Sequence, residues 1–199
     1  MCRILVFDLE TRKEAKDLDP TNEENGWTLL REGKGGISAL AVWSSNDERI
    51  HLFDDHSLLA AARYLETANV VVGFYSTHFD IPVIEGILGR KLALKYHYDV
   101  YVELAEESAR RGIIPRKGDL KLDSVGRRCL GRGKSGDGSA VTRLIKEGKF
   151  GDLFEYCMQD VYLTRDIFEF MCINRGVQHL NNSFLPIDIP DWIRKAMVE

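Results

Sequence analysis

Near its N-terminus the chain reads Ile4-Leu5-Val6-Phe7-Asp8-Leu9-Glu10-Thr11, an apolar run that ends in two carboxylates spaced one residue apart. The apolar residues predict a buried β-strand. Because successive side chains of a strand point to opposite faces, Asp8 and Glu10 would project together from the same face. Neighbouring carboxylates repel each other, and a divalent cation with oxygen ligands is the usual compensation. The stretch therefore indicates a magnesium or manganese site suited to phosphoryl chemistry; an acidic strand end that simply faces water is the alternative.

The composition is typical of one α/β domain. The chain has 199 residues, of which 44% are hydrophobic and 29% are charged. No apolar run approaches the roughly 18 residues of a membrane span, and the short N-terminal apolar run does not resemble a signal peptide, so we expect a cytoplasmic protein without a membrane partner. The cysteines lack CxxC spacing and predict free thiols; they are Cys2, Cys129, Cys157 and Cys172.

Charge is distributed unevenly along the chain. The formal net charge is −4, yet the segment 110–134, here called the basic segment, carries nine basic and two acidic residues. Such a segment is either a solvated face or a surface for a phosphate backbone.

Hydrophobic periodicity and turn residues predict the remaining elements. Residues 12–36 are polar and contain several glycines, which predicts a long loop or an insertion. Two short β-like runs, 37–43 and 49–53, are separated by a turn signal and predict an antiparallel hairpin. Further elements are predicted as strands at 69–74 and 95–101 and as helices at 57–66, from Asp80 onward, after 101 to about 111, at 120–130 and at 140–146.

The longest predicted helix runs from Gly151 to about Ile173, with apolar residues at three- and four-residue steps. We predict a single domain over residues 1–175 and a C-terminal tail, 176–199, to which the sequence assigns no structure.

Two further places supply carboxylates that could meet Asp8 and Glu10. Asp80 begins a helix just after the predicted strand 69–74, and Asp160 lies beside the apolar stripe of the longest helix. Tyr156 precedes Asp160 by four residues, so both share one helix face. Each residue has a structural alternative: Asp80 as a helix cap, Asp160 as a polar border residue and Tyr156 as an amphipathic core residue. The combination of all of them is what points to a catalytic site.

Three stretches of the sequence resemble the motifs of the DEDD exonucleases of the ribonuclease H-like superfamily. They are Phe7-Asp8-Leu9-Glu10-Thr11, Gly73-Phe74-Tyr75-Ser76-Thr77-His78-Phe79-Asp80-Ile81-Pro82 and Tyr156-Cys157-Met158-Gln159-Asp160-Val161. The third stretch is similar to the tyrosine type, DEDDy, since Tyr156 stands four residues before Asp160. This type occurs in proofreading domains of family B DNA polymerases and in small predicted bacterial 3′-to-5′ exonucleases. The resemblance to the latter spans residues 3 to about 172 and includes the weaker segment Leu130–Gly138.

The resemblance implies a ribonuclease H-like fold, with a central mixed five-stranded sheet, an antiparallel hairpin plus parallel strands, flanked by helices. It also implies a 3′-to-5′ exonuclease that hydrolyses single-stranded DNA or RNA with two divalent cations, Mg²⁺ or Mn²⁺, about 4 Å apart. Asp8 would bridge both ions, and Glu10, Asp80 and Asp160 would complete their oxygen ligands. Tyr156 would orient the attacking water, because a phenol with a pKa near 10 is a poor base at neutral pH.

One position departs from the family pattern. The second motif usually has Asn five residues before its Asp, and this chain has Tyr75 there. We therefore expect an altered substrate preference rather than a loss of chemistry.

Residues that would contact nucleic acid are predicted next to the first motif and in the basic segment. They are Thr11, Arg127, Arg128, Arg132 and Lys134. Gly133-Lys134-Ser135 is not a phosphate-binding loop, because the Gly that such a loop needs five residues before Gly133 is Arg128 here. Asp99 and Asp123 match no motif position and are not included in the site.

Two other functions are compatible with the residues. The first is a catalytically silent module that binds nucleic acid or a helicase or polymerase partner; retention of all four carboxylates and Tyr156 favours an enzyme. The second is a structure-selective endonuclease with the same metal chemistry. The sequence does not determine whether the substrate is DNA or RNA, and it does not determine the oligomeric state.

Overall fold

The computed structural model describes residues 2–134, 139–180 and 183–198. The strands are β1 (Ile4–Thr11), β2 (Ile37–Ser44), β3 (Arg49–Phe53), β4 (Val70–Gly73), β5 (His97–Asp99), β6 (Gly176–Gln178) and β7 (Phe184–Pro186). The helices are α1 (Ala15–Leu18), α2 (Glu23–Arg31), α3 (Leu58–Glu66), α4 (Asp80–Leu88), α5 (Val100–Arg110), α6 (Leu122–Leu130), α7 (Ser139–Lys146), α8 (Phe150–Asn174) and α9 (Asp191–Val198).

The central sheet has five strands in the order β3-β2-β1-β4-β5. The β1/β2 and β2/β3 pairs are antiparallel, whereas β1/β4 and β4/β5 are parallel. The predicted mixed sheet, with an antiparallel hairpin and parallel strands, is therefore confirmed. Strand β1 lies at the centre, which agrees with the burial of its apolar residues.

The two faces of the sheet pack against different helices, and β1 contributes alternate residues to each face. Ile4 and Val6 belong to the core under α8, whereas Leu5, Phe7 and Leu9 belong to the core under α3 and α4. The period of two continues along the strand, so Asp8 and Glu10 follow Ile4 and Val6 onto the face that carries α8. This alternation brings the first motif beside the helix that carries the third.

The prediction of a long loop over residues 12–36 is wrong, because this segment forms α1 and α2. The side chain of Asn22 caps α2 by accepting the backbone N–H of Asn25. Only a few residues of the two helices are buried, among them Ala15 and Leu30. The helices also pack through glycines: a Cβ on Gly26 would lie 2.1 Å from the carbonyl oxygen of Ala15. Such a narrow contact surface leaves the segment polar in composition and hides its helical periodicity.

The C-terminal residues pack on the main domain. Strands β6 and β7 form a two-stranded antiparallel sheet, and α9 lies against α8. Val177, Leu185 and Ile193 are buried in the same core cluster as the residues of α8. Among the described residues, no helix has the length and apolarity required to cross a membrane.

Candidate active site

Asp8, Glu10 and Asp160 form a carboxylate cluster between β1 and α8. One carboxylate oxygen of each lies within 4.8 Å of the others. Asp160 is buried, and Asp8 and Glu10 are partly buried. The side chain of Cys157, one turn before Asp160, lies under the cluster, with its Sγ 3.3 Å from the backbone oxygen of Asp8. The strand period of β1 and the inward face of α8 therefore bring together carboxylates that are about 150 residues apart.

Asp80 lies near the carboxylate cluster but outside it. It begins α4 and is buried, and its Oδ1 accepts the backbone N–H of Leu9 at 3.1 Å. Its negative charge raises the pKa of both Asp8 and Glu10. Asp80 thus connects the start of α4 to the end of β1 and contributes to the negative potential of the cluster.

The pKa values of these carboxyl groups reflect burial and mutual repulsion. Burial, followed by the charge of Asp160, raises the pKa of Glu10 to about 8. Burial and the charges of Asp160, Asp80 and Glu10 raise the pKa of Asp8 well above its usual range, and burial raises the pKa of Asp80 to about 7. Crowded carboxylates of this kind fit a divalent cation with oxygen ligands, whose charge would replace the bound protons.

Lys134 places a positive charge in the cluster. Its Nζ lies 2.5 Å from Oδ2 of Asp160 and 5.7 Å from the centroid of the Tyr156 ring. Burial opposes its charge, but the nearby Asp160 and Asp8 raise the pKa of Lys134 above its usual value. Asp123 positions the backbone here, because its Oδ1 accepts the N–H of Lys134 at 2.9 Å. Lys134, predicted as a nucleic-acid contact, is therefore paired with a carboxylate of the site.

Tyr156 lies on α8 one turn before Asp160 and is buried. Burial and the charge of Asp160 raise the pKa of its hydroxyl to about 12. The phenol is therefore protonated at neutral pH and can act as a hydrogen-bond donor.

The other predicted contacts with nucleic acid each bind a partner outside the carboxylate cluster. Thr11 donates to the carbonyl of Lys13, and Arg127 pairs with Asp123 at 2.9 Å. Arg128 donates to the carbonyl of Asp119 at 2.6 Å, which ties α6 to the preceding turn. Arg132 pairs with Asp166 of α8. Residues 135–138 of the weaker family-like segment lie outside the described residues.

Asp99 is a positioning residue that the motifs do not include. Its two carboxylate oxygens accept the backbone N–H groups of Tyr75 and Thr77 at 2.8 and 2.7 Å. It also caps α5 through the N–H of Tyr101. Asp99 therefore holds the loop before Asp80; its position at a predicted strand-to-helix junction is the sequence signal for such a cap.

No known protein family model matches the chain, and no protein with a curated function matches it. Among solved structures, the fold is similar to that of the family B DNA polymerase from the hyperthermophilic archaeon Pyrobaculum calidifontis, with a TM-score of 0.63 and 20% sequence identity. The match covers 86% of this chain but only 24% of the polymerase chain. This similarity confirms the predicted fold class, an α/β ribonuclease H-like fold with a mixed five-stranded sheet flanked by helices.

Proposed function

We propose that this protein is a divalent-metal-dependent 3′-to-5′ exonuclease of the DEDDy type that hydrolyses single-stranded DNA or RNA. The observation that carries the proposal is the carboxylate cluster of Asp8, Glu10 and Asp160, with protonated Tyr156 beside it. The sequence resemblance of all three motifs and the fold similarity to a family B DNA polymerase both support it.

Asp8, Glu10 and Asp160 would hold the metal, with Asp80 as a further oxygen ligand at the edge of the cluster. When bound, divalent cations supply activation of the attacking water and stabilisation of the leaving 3′ oxygen. The elements that carry these side chains are a central strand and a long helix with buried faces. Such elements hold ligands in place at little entropic cost when the metal binds.

Tyr156 would donate a hydrogen bond to the attacking water. Since the pKa of its hydroxyl is about 12, it would orient that water rather than remove its proton. Lys134, which lies beside the Tyr156 ring and Asp160, would contact the phosphate that is cleaved. Its positive charge would favour the additional negative charge of the transition state.

The basic segment would hold the phosphate backbone that leads to the site. Arg127 and Arg132 are exposed even though each has an acidic partner. A polyanion can compete for exposed arginines of this kind, because exposed ion pairs contribute little to stability.

The proposal is tested with 5′-labelled single-stranded DNA and RNA in the presence of Mg²⁺, Mn²⁺ or EDTA, with the Asp8→Ala variant as the control. We expect a ladder that shortens from the 3′ end and disappears with EDTA and in the variant. Cuts that do not depend on the 3′ end would instead indicate an endonuclease. Binding without cleavage under every condition would favour the silent binding module.

A further inference from the structure

Strand β5 lies beside the loop that leads from β4 to Asp80, residues 74–79. His97 and Asp99 are two residues apart on β5, so both side chains lie on one face of the sheet. Tyr98 between them is buried in the core on the other face, under α8. The loop therefore has two polar side chains of the neighbouring strand next to it.

These two side chains bind three consecutive residues of the loop. The carboxylate of Asp99 accepts the backbone N–H groups of Tyr75 and Thr77 at 2.8 and 2.7 Å. Between them, Oγ of Ser76 makes a hydrogen bond of 2.8 Å with Nε2 of His97. Ser76 is completely buried, and a buried hydroxyl is costly without a partner, so this bond also fixes the loop.

The loop needs this support because the backbone of Tyr75 is strained. Its φ is +64°, in the left-handed region, which Gly and Asn adopt more easily than an aromatic residue does. Such a conformation persists only where the surrounding structure fixes it. The bond from the N–H of Tyr75 to Asp99 supplies that support at the strained residue itself.

The position of Asp80 depends on this loop. Among the described residues, no side chain caps the N-terminus of α4, the helix that Asp80 begins. Instead, the carbonyl oxygen of Ser76 accepts the N–H of Ile81 at 2.9 Å. Asp80 in turn accepts the N–H of Leu9 at 3.1 Å. A chain of contacts thus runs from β5 through Ser76 to the first turn of α4 and on to the end of β1.

We propose that His97 and Asp99 are positioning residues for Asp80, and we call the pair the β5 clamp. The inference rests on the proposed function, in which Asp80 is a ligand of a divalent cation. Side chains that hold a metal ligand in place affect metal affinity by about 10- to 100-fold. The β5 clamp therefore sets the affinity of the protein for the ion that Asp80 contacts.

The first measurement is made on the metal-free protein, so that it depends on neither metal binding nor cleavage. Hydrogen exchange at the N–H of Leu9, followed by NMR in EDTA, reports whether Asp80 is in place, because Asp80 is the acceptor of that N–H. The second measurement is calorimetric titration of Mn²⁺ at pH 8.

The variants remove the β5 clamp from either side. Asp99→Asn keeps one oxygen for the cap of α5 but replaces the other oxygen with an amide donor, and His97→Ala removes the bond to Ser76. His51→Ala is the matched control, because His51 lies on β3 at the opposite edge of the sheet and pairs with the exposed Asp47.

We expect the N–H of Leu9 to exchange at least about tenfold faster in Asp99→Asn and His97→Ala than in the wild type and His51→Ala. Mn²⁺ should bind about tenfold more weakly to the same two variants. Thermal unfolding confirms that each variant is folded.

A double variant separates the β5 clamp from the cap that Asp99 provides for α5. Because Asn adopts the left-handed conformation with less strain, Tyr75→Asn makes the loop less dependent on its support. Added to Asp99→Asn, it should restore most of the Mn²⁺ affinity and slow the exchange at Leu9. A role of Asp99 confined to capping α5 predicts no recovery.

Two outcomes would overturn the β5 clamp: wild-type exchange at Leu9 or wild-type Mn²⁺ affinity in both folded single variants, or no recovery in the double variant. If the wild type then still degrades labelled strands from the 3′ end, the proposed exonuclease stands and the clamp alone fails. If exchange and Mn²⁺ affinity change as expected but the wild type cleaves no strand, the clamp stands and the exonuclease proposal fails.

Discussion

The carboxylate cluster and the basic segment differ in how the fold places their side chains. Asp8, Glu10 and Asp160 project from a central strand and a long helix, whose periods dictate which way each residue points. Arg132 and Lys134 of the basic segment instead bind partners that the tertiary structure brings to them, Asp166 and Asp160. Residues on regular elements can thus be assigned from spacing, whereas the role of a cation depends on contacts that spacing does not reveal.

The largest effect is expected from Glu10→Gln, which removes one carboxylate of the cluster. Loss of a metal ligand should reduce cleavage by about 10³-fold, since a metal contributes several kcal/mol to transition-state stabilisation. The same change removes a repelling charge, so the metal-free protein should unfold at a higher temperature at pH 8. Cleavage rates and thermal unfolding in EDTA measure the two effects.

The matched control for this variant is Glu155→Gln, which changes an exposed carboxylate on the same helix as Asp160. It should leave both cleavage and stability nearly unchanged. Equal loss of cleavage in the two variants would mean that the cluster has no special role.

A smaller effect is expected when the arginines of the basic segment are replaced. The variant with Gln at Arg127, Arg128 and Arg132 should bind single strands about tenfold more weakly. Its slope of log affinity against log salt concentration should be flatter, by up to about 0.7 for each lost phosphate contact. Metal binding should be unchanged. Titrations at several salt concentrations measure the slope.

Arg63→Gln is the control for the arginine variant, because Arg63 is exposed on α3, on the other side of the sheet. Arg128 also holds the carbonyl of Asp119, so circular dichroism must show that the triple variant is folded. A salt slope equal to that of the wild type would identify the basic segment as a solvated face.

Lys134→Met tests whether the two regions are coupled. Asp160 would lose its positive partner, and we expect the metal-free protein to lose about 1–2 kcal/mol of unfolding free energy, less than for a fully buried pair because Lys134 is partly exposed. Saturating Mn²⁺ should remove most of this difference. Denaturant unfolding with EDTA or Mn²⁺ measures it.

The comparison variant is Lys149→Met, whose side chain is exposed and pairs with Glu147. The unfolding free energy of this variant should stay within about 0.5 kcal/mol of the wild-type value. If Lys134→Met were as stable as the wild type in EDTA, Lys134 would not neutralise the cluster.

The smallest effect is a dependence of stability on pH. The folded protein raises the pKa of Glu10 to about 8 and that of Asp80 to about 7, so the folded state binds protons that the unfolded state has released. Stability of the metal-free protein should therefore fall as the pH rises from about 4.5 to 8. The increase in melting temperature caused by Mn²⁺ should be a few degrees larger at pH 8 than at pH 5.5. Equal increases at both pH values would contradict this linkage.

The sequence predicts the fold well where hydrophobic periods are strong. The five strands of the central sheet and the helix α8 lie where apolar runs and three- and four-residue steps predict them. The strand predicted at 95–101 is too long, because β5 is only His97–Asp99 and α5 begins at Val100, where Asp99 caps it. It fails over residues 12–36, because α1 and α2 bury little more than Ala15 and Leu30 and pack through Gly26. A helix with so narrow a buried stripe has the composition of a loop.

The candidate site also has a part that the sequence predicts and a part that it does not. Motif spacing is sufficient to expect Asp8, Glu10 and Asp160 together, because each lies at a defined position on a regular element. Asp99 caps α5, but it also binds the backbone N–H of Tyr75 in a loop 24 residues earlier, and Lys134 pairs with a residue 26 positions later. Neither contact follows from local spacing, so both required the three-dimensional structure.

The central claim is that the carboxylate cluster binds divalent cations, and calorimetric titration of Mn²⁺ into the purified protein tests it most directly. Wild type and Glu155→Gln should bind up to two ions at pH 8, with protons released on binding, and Asp8→Asn should lose this binding while remaining folded. Equal Mn²⁺ binding by Asp8→Asn and the wild type, or no binding by the wild type, would contradict the account.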